Sequence, residues 1–199
     1  MADARVDPLL ARRAELATSG TDASVTAMLL FQVARTLLRH PRLNATLDGD
    51  GIVAYDVVNI NVAVAVADGL RVPVIRGAER LSLEAIVERL SDLTARAREN
   101  RLAPADSADG TFTVSDLGRS AVRSFVPIVN PPQSAILGIG AMQTAYAPGP
   151  DDAPRLQRQV TLTVSADHRV VDGADAAAFL TDMVAVIEAA EFAEPEWSS

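Results

Sequence analysis

Apolar residues change their period several times along this chain, and each change marks an element. Pro8 to Ala17 reads as a short helix, closed by a polar break through Ser19, Gly20, Thr21 and Asp22. A stronger helix follows, with Ser24 placed as its cap and Val25, Met28, Leu29, Val33, Leu37 and Leu38 recurring at helical spacing until Pro41 stops the pattern. Ala45 to Tyr55 reads as a hairpin turning at Asp48-Gly49-Asp50-Gly51. From Asn59 the period drops to two. Ile60, Val62, Val64 and Val66 alternate with small or polar residues up to an Asp68-Gly69 turn, and Leu70 to Ile75 forms a second strand in which Pro73 predicts a bulge or an edge. Leu83, Ile86, Val87, Leu90, Leu93 and Ala97 then form an amphipathic helix capped near Ser82, whose charged residues Glu88, Arg89, Asp92, Arg96 and Arg98 read as a solvated face.

The second half alternates in the same way. Phe112 to Ser115 is a short strand, Pro131-Pro132 a break, and Ser134 to Ile139 a strand again. Proline and glycine at 147–150 lead into a final strand marked by Val160, Leu162 and Val164, and Gly173 opens an alanine-rich helix. Strands interleaved with long helices and a hairpin predict an α/β fold, a mixed sheet with helices packed on it.

Composition narrows the function classes. A chain of 199 residues, 49% hydrophobic and 22% charged, is expected to form one domain with one core. No apolar run reaches about 18 residues and the first twenty lack a signal-peptide core, so the expectation is a cytoplasmic protein with no membrane span. The absence of cysteine excludes disulfides, thiolate metal sites and a cysteine nucleophile. Only two histidines, His40 and His168, lie far apart, which argues against zinc. A formal charge of -8 disfavours nucleic acid and anionic membranes as partners. All 18 basic residues are arginine, so nothing in the chain can form a Schiff base or carry lipoate on a lysine.

Candidate chemistry centres on Asp167-His168-Arg169, an imidazole among charges between the last strand and the last helix. Asp172 can orient that loop or cap the helix, and the two roles are compatible. Ser115 is a hydroxyl at the end of a strand, a position where serine usually serves a turn. Gly138-Ile139-Gly140 begins like a dinucleotide fingerprint, but position 143 is glutamine and no helix clearly follows, so that reading is rejected. A helix C-terminal cap or dipole contact accounts for His40. There is no Gly-x-Ser-x-Gly elbow.

Four segments, in order and spacing, carry a family resemblance: GLRVPVIRGAERLSLEAI (69–86), TFTVSDLG (111–118), IVNPPQSAILGIGAM (128–142) and SADHRVVDGADAAAFL (165–180). They resemble the catalytic domain of 2-oxoacid dehydrogenase acyltransferases, the E2 components, over about residues 25–187. The resemblance implies a fold like chloramphenicol acetyltransferase, assembled as trimers or larger cores. It implies acyl transfer between dihydrolipoamide and coenzyme A, with His168 as general base, Asp172 holding its loop and Ser115 donating a hydrogen bond to the oxyanion across a subunit boundary. No metal is called for. The lipoyl group would come in trans, and other 2-oxoacid dehydrogenase subunits are possible partners.

The resemblance also divides the chain. Residues 1–24 are expected to be an amino-terminal helix and linker, a truncated start of the catalytic domain; residues 25–190 the acyltransferase domain; and residues 191–199 an acidic tail. Lipoyl and peripheral-subunit-binding domains, and a basic helix and strand ahead of Val6 to Leu16, are expected to be missing. The alternative to an enzyme is a non-catalytic or weakly active paralogue acting as a core or scaffold subunit.

Overall fold

A seven-stranded mixed sheet organises the molecule, in a computed structural model that describes residues 1–49, 51–148 and 153–192. Asp50 of the hairpin turn, Gly149-Pro150 and the end of the acidic tail from 193, Trp197 included, lie outside the described residues. The elements run β1 (Ala2–Arg5), α1 (Asp7–Thr18), α2 (Val25–Leu37), β2 (Ala45–Asp48), β3 (Gly51–Ala54), β4 (Ile60–Val62), β5 (Val64–Val66), β6 (Gly69–Arg71), β7 (Val74–Ile75), α3 (Leu83–Arg98), β8 (Phe112–Asp116), β9 (Ala135–Ile139), β10 (Gln143–Pro148), β11 (Pro154–Ala166) and α4 (Gly173–Ala189). The main sheet has the order β1-β11-β9-β8-β4-β7, with β10 also paired to β11, while β2-β3 and β5-β6 form two small hairpins. The pairs β4-β8 and β8-β9 are parallel, and the other ladders are antiparallel.

Register separates two faces. Phe112, Val114, Leu137, Ile139 and Leu162 point into the core, where Phe112 meets Phe179 of α4 at a ring-centroid distance of 6.0 Å. On the other face Ser115 lies opposite Gly138, and Gly138 opposite Thr163. Helix α2 is buried almost all round, from Ala27 through Ala34, which is why its sequence is apolar on every side. Its cap is the expected one: Ser24 Oγ accepts from Ala27 N at 3.1 Å, and Ser82 caps α3 in the same way at 3.2 Å.

The alternation from Ile60 to Val66, expected as one strand, is two. β4 pairs with β7 and β8 in the main sheet, and after Ala63 the chain leaves to pair β5 with β6. The break comes where Ala63 N makes the last bond to β8, at Val114 O; beyond it β8 continues beside β9 alone. Pro73 does mark an edge, since β7 is the outer strand. The strand expected to be missing ahead of Val6 is present as β1, paired antiparallel to β11, and periodicity marked neither it nor β10. Their small residues carry little apolar signal, and what holds them is the backbone ladder to β11.

The glycines at 138 and 140 have a packing reason. The segment 119–130 passes as a strap over β9, tied by Ala141 N to Val122 O at 2.8 Å. A Cβ on Gly140 would lie 1.8 Å from the Arg123 carbonyl oxygen, and one on Gly138 2.9 Å from the Phe125 ring. Gly138 sits inside a strand rather than at a strand-to-helix turn, in keeping with rejection of the dinucleotide reading.

Candidate functional site

The loop between β11 and α4 is a rigid piece of chain. Asp167 N donates to Ser134 O at 2.8 Å, and Val170 N and Val171 N donate back to Asp167 O at 2.9 and 3.0 Å. Val170 and Val171 are buried, each 2% exposed, and pin the loop to the core. His168, between these anchors, is left exposed.

Asp172 closes the loop as the cap of α4. Its Oδ1 accepts from Ala174 N at 2.8 Å and from Asp175 N at 2.9 Å, while Asp175 reaches back to Asp172 N in a capping box. The backbone N–H of Asp175, then that of Ala174, hold the Asp172 carboxyl below its ordinary value, with further help from the nearby charges of Arg42 and His168. Of the two roles foreseen for Asp172, the hydrogen bonds show the helix cap: both N–H groups that it accepts from belong to α4.

Arg169 folds back on Asp167. Its Nη2 donates to Asp167 Oδ2 at 2.6 Å and its Nε to Oδ1 at 2.9 Å, and its own backbone N donates to Oδ1 at 3.0 Å. The side-chain bonds from Arg169, then that backbone bond, pull the Asp167 carboxyl down to about 2.

Ser115 lies elsewhere on the same chain. It stands at the far end of β8, level with Gly138 and Thr163, whereas His168 lies beyond the opposite end, past the Ala135–Ala166 pair. Three residues of strand and two strand spacings put Ser115 roughly 10 Å along and roughly 10 Å across from the end of β11. His168 is two residues further on, in the loop tied to Ser134. One chain thus brings His168 and Asp172 together, and leaves Ser115 away from them. Ser115 is placed by its neighbour Asp116, which accepts from Thr26 Oγ1 of α2 at 2.6 Å and from Gly118 N at 2.7 Å. The periodicity gave no hint of that brace.

An open groove of about 550 Å³ lies between the start of β1 and α4, lined among others by Ala2, Asp3, Val164, Gly173, Leu180 and Val184, and not by residues 167–172. Among the described residues no group of three or more His, Asp or Glu is arranged to hold a metal, and no helix is long and apolar enough to cross a membrane. His40 caps the end of α2 as expected with its backbone, its N–H donating to Leu37 O at 2.9 Å, while its side chain reaches α4. Its Nε2 lies 3.0 Å from Asp182 Oδ2 on α4 and its ring stands edge-on to Phe179, so the imidazole ties α2 to α4 rather than meeting the helix dipole.

Known proteins resemble the chain along nearly its whole length. The family model for 2-oxoacid dehydrogenases acyltransferase (catalytic domain) matches residues 1–194. The dihydrolipoyllysine-residue acetyltransferase component of the pyruvate dehydrogenase complex of Zymomonas mobilis is 38% identical over 193 residues, covering 94% of this chain and 43% of that protein. The chain thus spans less than half the length of this curated relative. Among solved structures, dihydrolipoamide acetyltransferase of Azotobacter vinelandii superposes with a TM-score of 0.87 at 30% identity, covering 94% of this chain and 79% of that one. In that enzyme a serine, a histidine and an asparagine were investigated for their role in the catalytic mechanism; the serine precedes the histidine by 52 residues and the asparagine follows it by four. The cubic core of the pyruvate dehydrogenase multienzyme complex matches equally, with a TM-score of 0.87 at 30% identity and the same 94% and 79% coverage. Chloramphenicol acetyltransferase, at 15% identity and a TM-score of 0.60 over 94% of this chain and 86% of that one, shares the fold.

Proposed function

The chain belongs to the family of 2-oxoacid dehydrogenase acyltransferase catalytic domains, and from that premise we propose that it moves an acyl group between the thiol of a dihydrolipoamide and the thiol of coenzyme A. The observation that carries the assignment to particular residues is the anchored loop: His168 is presented by two buried valines and a capped helix, with Asp172 four residues on. Ser115 precedes His168 by 53 residues, against 52 for the serine and histidine of the Azotobacter enzyme, where an asparagine stands four beyond the histidine.

The residues suit the reaction. A thiol is mostly protonated near neutrality, and an imidazole is matched to take its proton as sulfur attacks the thioester carbonyl. The oxyanion that forms needs a fixed donor, which Ser115 Oγ supplies. Collapse expels the second thiolate, and the imidazolium returns the proton to it. Because Ser115 and His168 of one chain stand apart, the donor comes from a neighbouring copy, and the working form is a homotrimer or a larger assembly of trimers. None of these 199 residues is a lysine, so the lipoyl group is borne by residues outside this sequence. The same proposal has it act in the cytoplasm, within or beside a 2-oxoacid dehydrogenase complex.

Purified protein should show the mass of a trimer or multiple and transfer acetyl from acetyl-coenzyme A to free dihydrolipoamide. His168→Ala should lower turnover by about 10²- to 10⁴-fold, and Ser115→Ala by about 10²- to 10³-fold with little change in KM. A well-folded oligomer that transfers no acyl group to either thiol would leave only the scaffold role.

A further inference from the structure

Asp167 and Arg169, on either side of His168 in the sequence, are joined by a side-chain fork. We propose that Arg169 is a positioning residue whose guanidinium cancels the Asp167 charge beside His168 and locks the backbone on both sides of it, so that the imidazole stays available as a base. The proposal rests on the acyltransferase reading for its purpose, but its geometry stands apart from any assay.

The physical argument begins with spacing. Asp167 and Arg169 are the immediate neighbours of His168 in sequence, and Arg169 spends its Nε, Nη2 and backbone N on one carboxylate. A bidentate fork of this kind fixes the backbone turn through 167–169 more tightly than a single contact does. The pair is also electrically neutral as seen from the imidazole. Without Arg169 the Asp167 carboxylate would favour the imidazolium, which cannot accept a proton from a thiol. Without Asp167 the guanidinium would disfavour it. The other charged groups facing the loop come from elsewhere: Asp172 and Asp175 at the start of α4, and Arg42 before β2, which pairs with Asp175 at 3.6 Å and acts on Asp172. Asp172 itself feels the His168 charge, so the effect of the fork is read as the difference among variants that all keep Asp172, Asp175 and Arg42.

The chain has only two histidines, which makes a direct readout practical. Protein labelled with carbon-13 histidine is titrated by NMR, with His168→Ala identifying the His168 signal. Relative to wild type, the His168 midpoint should rise by about half a pH unit in Arg169→Gln and fall by a similar amount in Asp167→Asn. It should return toward the wild-type value in the double variant. In the acetyl-transfer assay, the acidic limb of kcat/KM should follow the same directions. Midpoints that stay put, or move the same way in both single variants, would overturn the proposal. Absence of transfer in the wild type would count against the acyltransferase reading instead, while the NMR result would still decide the fork.

Discussion

Ser115 and His168 stand at opposite ends of the strands that carry them: Ser115 is level with Gly138 and Thr163, and His168 follows the Ala135–Ala166 end of β11. The separation is a consequence of topology. β8 and β9 run parallel while β11 returns antiparallel, so the end of β8 and the end of β11 face opposite ways. On the proposed mechanism, in which both groups approach one thioester, they would belong to two copies of the chain.

Asp172 should report its two roles separately. Asparagine keeps an acceptor for the N–H groups of Ala174 and Asp175, so Asp172→Asn should retain the helix cap and most of the activity, while Asp172→Ala should lower Tm by a few degrees and reduce kcat. The Asp172 carboxyl is depressed in the folded state. Its contribution is therefore present above the unfolded carboxylate value near 4 and is lost as pH falls through the lower folded value. Thermal melts should show the wild-type advantage over Asp172→Ala in full at pH 7 and shrinking below about pH 4.

The bond from Thr26 Oγ1 to Asp116 Oδ2 joins the start of α2 to the strand end that presents Ser115. Thr26→Val keeps the shape and removes the donor. We expect kcat to fall roughly tenfold with KM little changed, since small displacements of an oxyanion donor act on the transition state. Steady-state kinetics at several substrate concentrations distinguish this from a binding defect, in which KM would rise and kcat would hold.

Much of the fold was visible in the sequence where packing follows periodicity. The caps at Ser24, Ser82 and Asp172 and the apolar surface of α2 are local facts, and the structure has them where the spacing put them. Elements held by pairing rather than burial were not visible. β1 and β10 offer alanines and polar residues, and only the partner strand defines them. The split at Ala63 depends on which strands flank Ile60 and Val64, which no window of the sequence contains. At the site, the resemblance singled out His168, Asp172 and Ser115 as residues. What it could not give was the Thr26–Asp116 brace, or the strap over Gly138 and Gly140, because both join segments distant in sequence.

Behind the site lies a buried polar network on the same sheet face. Gln133, 5% exposed, accepts from Thr113 Oγ1 and donates to Asn61 Oδ1 and Gly110 O. Gln133→Ala strands these partners in the interior and should cost about 2–4 kcal/mol. Urea unfolding should show a lower midpoint with an unchanged slope.

The shared site is tested most directly by mixing. Ser115→Ala and His168→Ala proteins are each nearly inactive; they are dissociated, combined in equal amounts and reassembled, then assayed for acetyl transfer to dihydrolipoamide. If each site takes its histidine from one subunit and its serine from the next, about a quarter of the sites in random mixed oligomers carry both, and about that share of wild-type activity returns. If mixed oligomers form and activity stays at the level of the two parents, the site is not shared between subunits and the account is wrong.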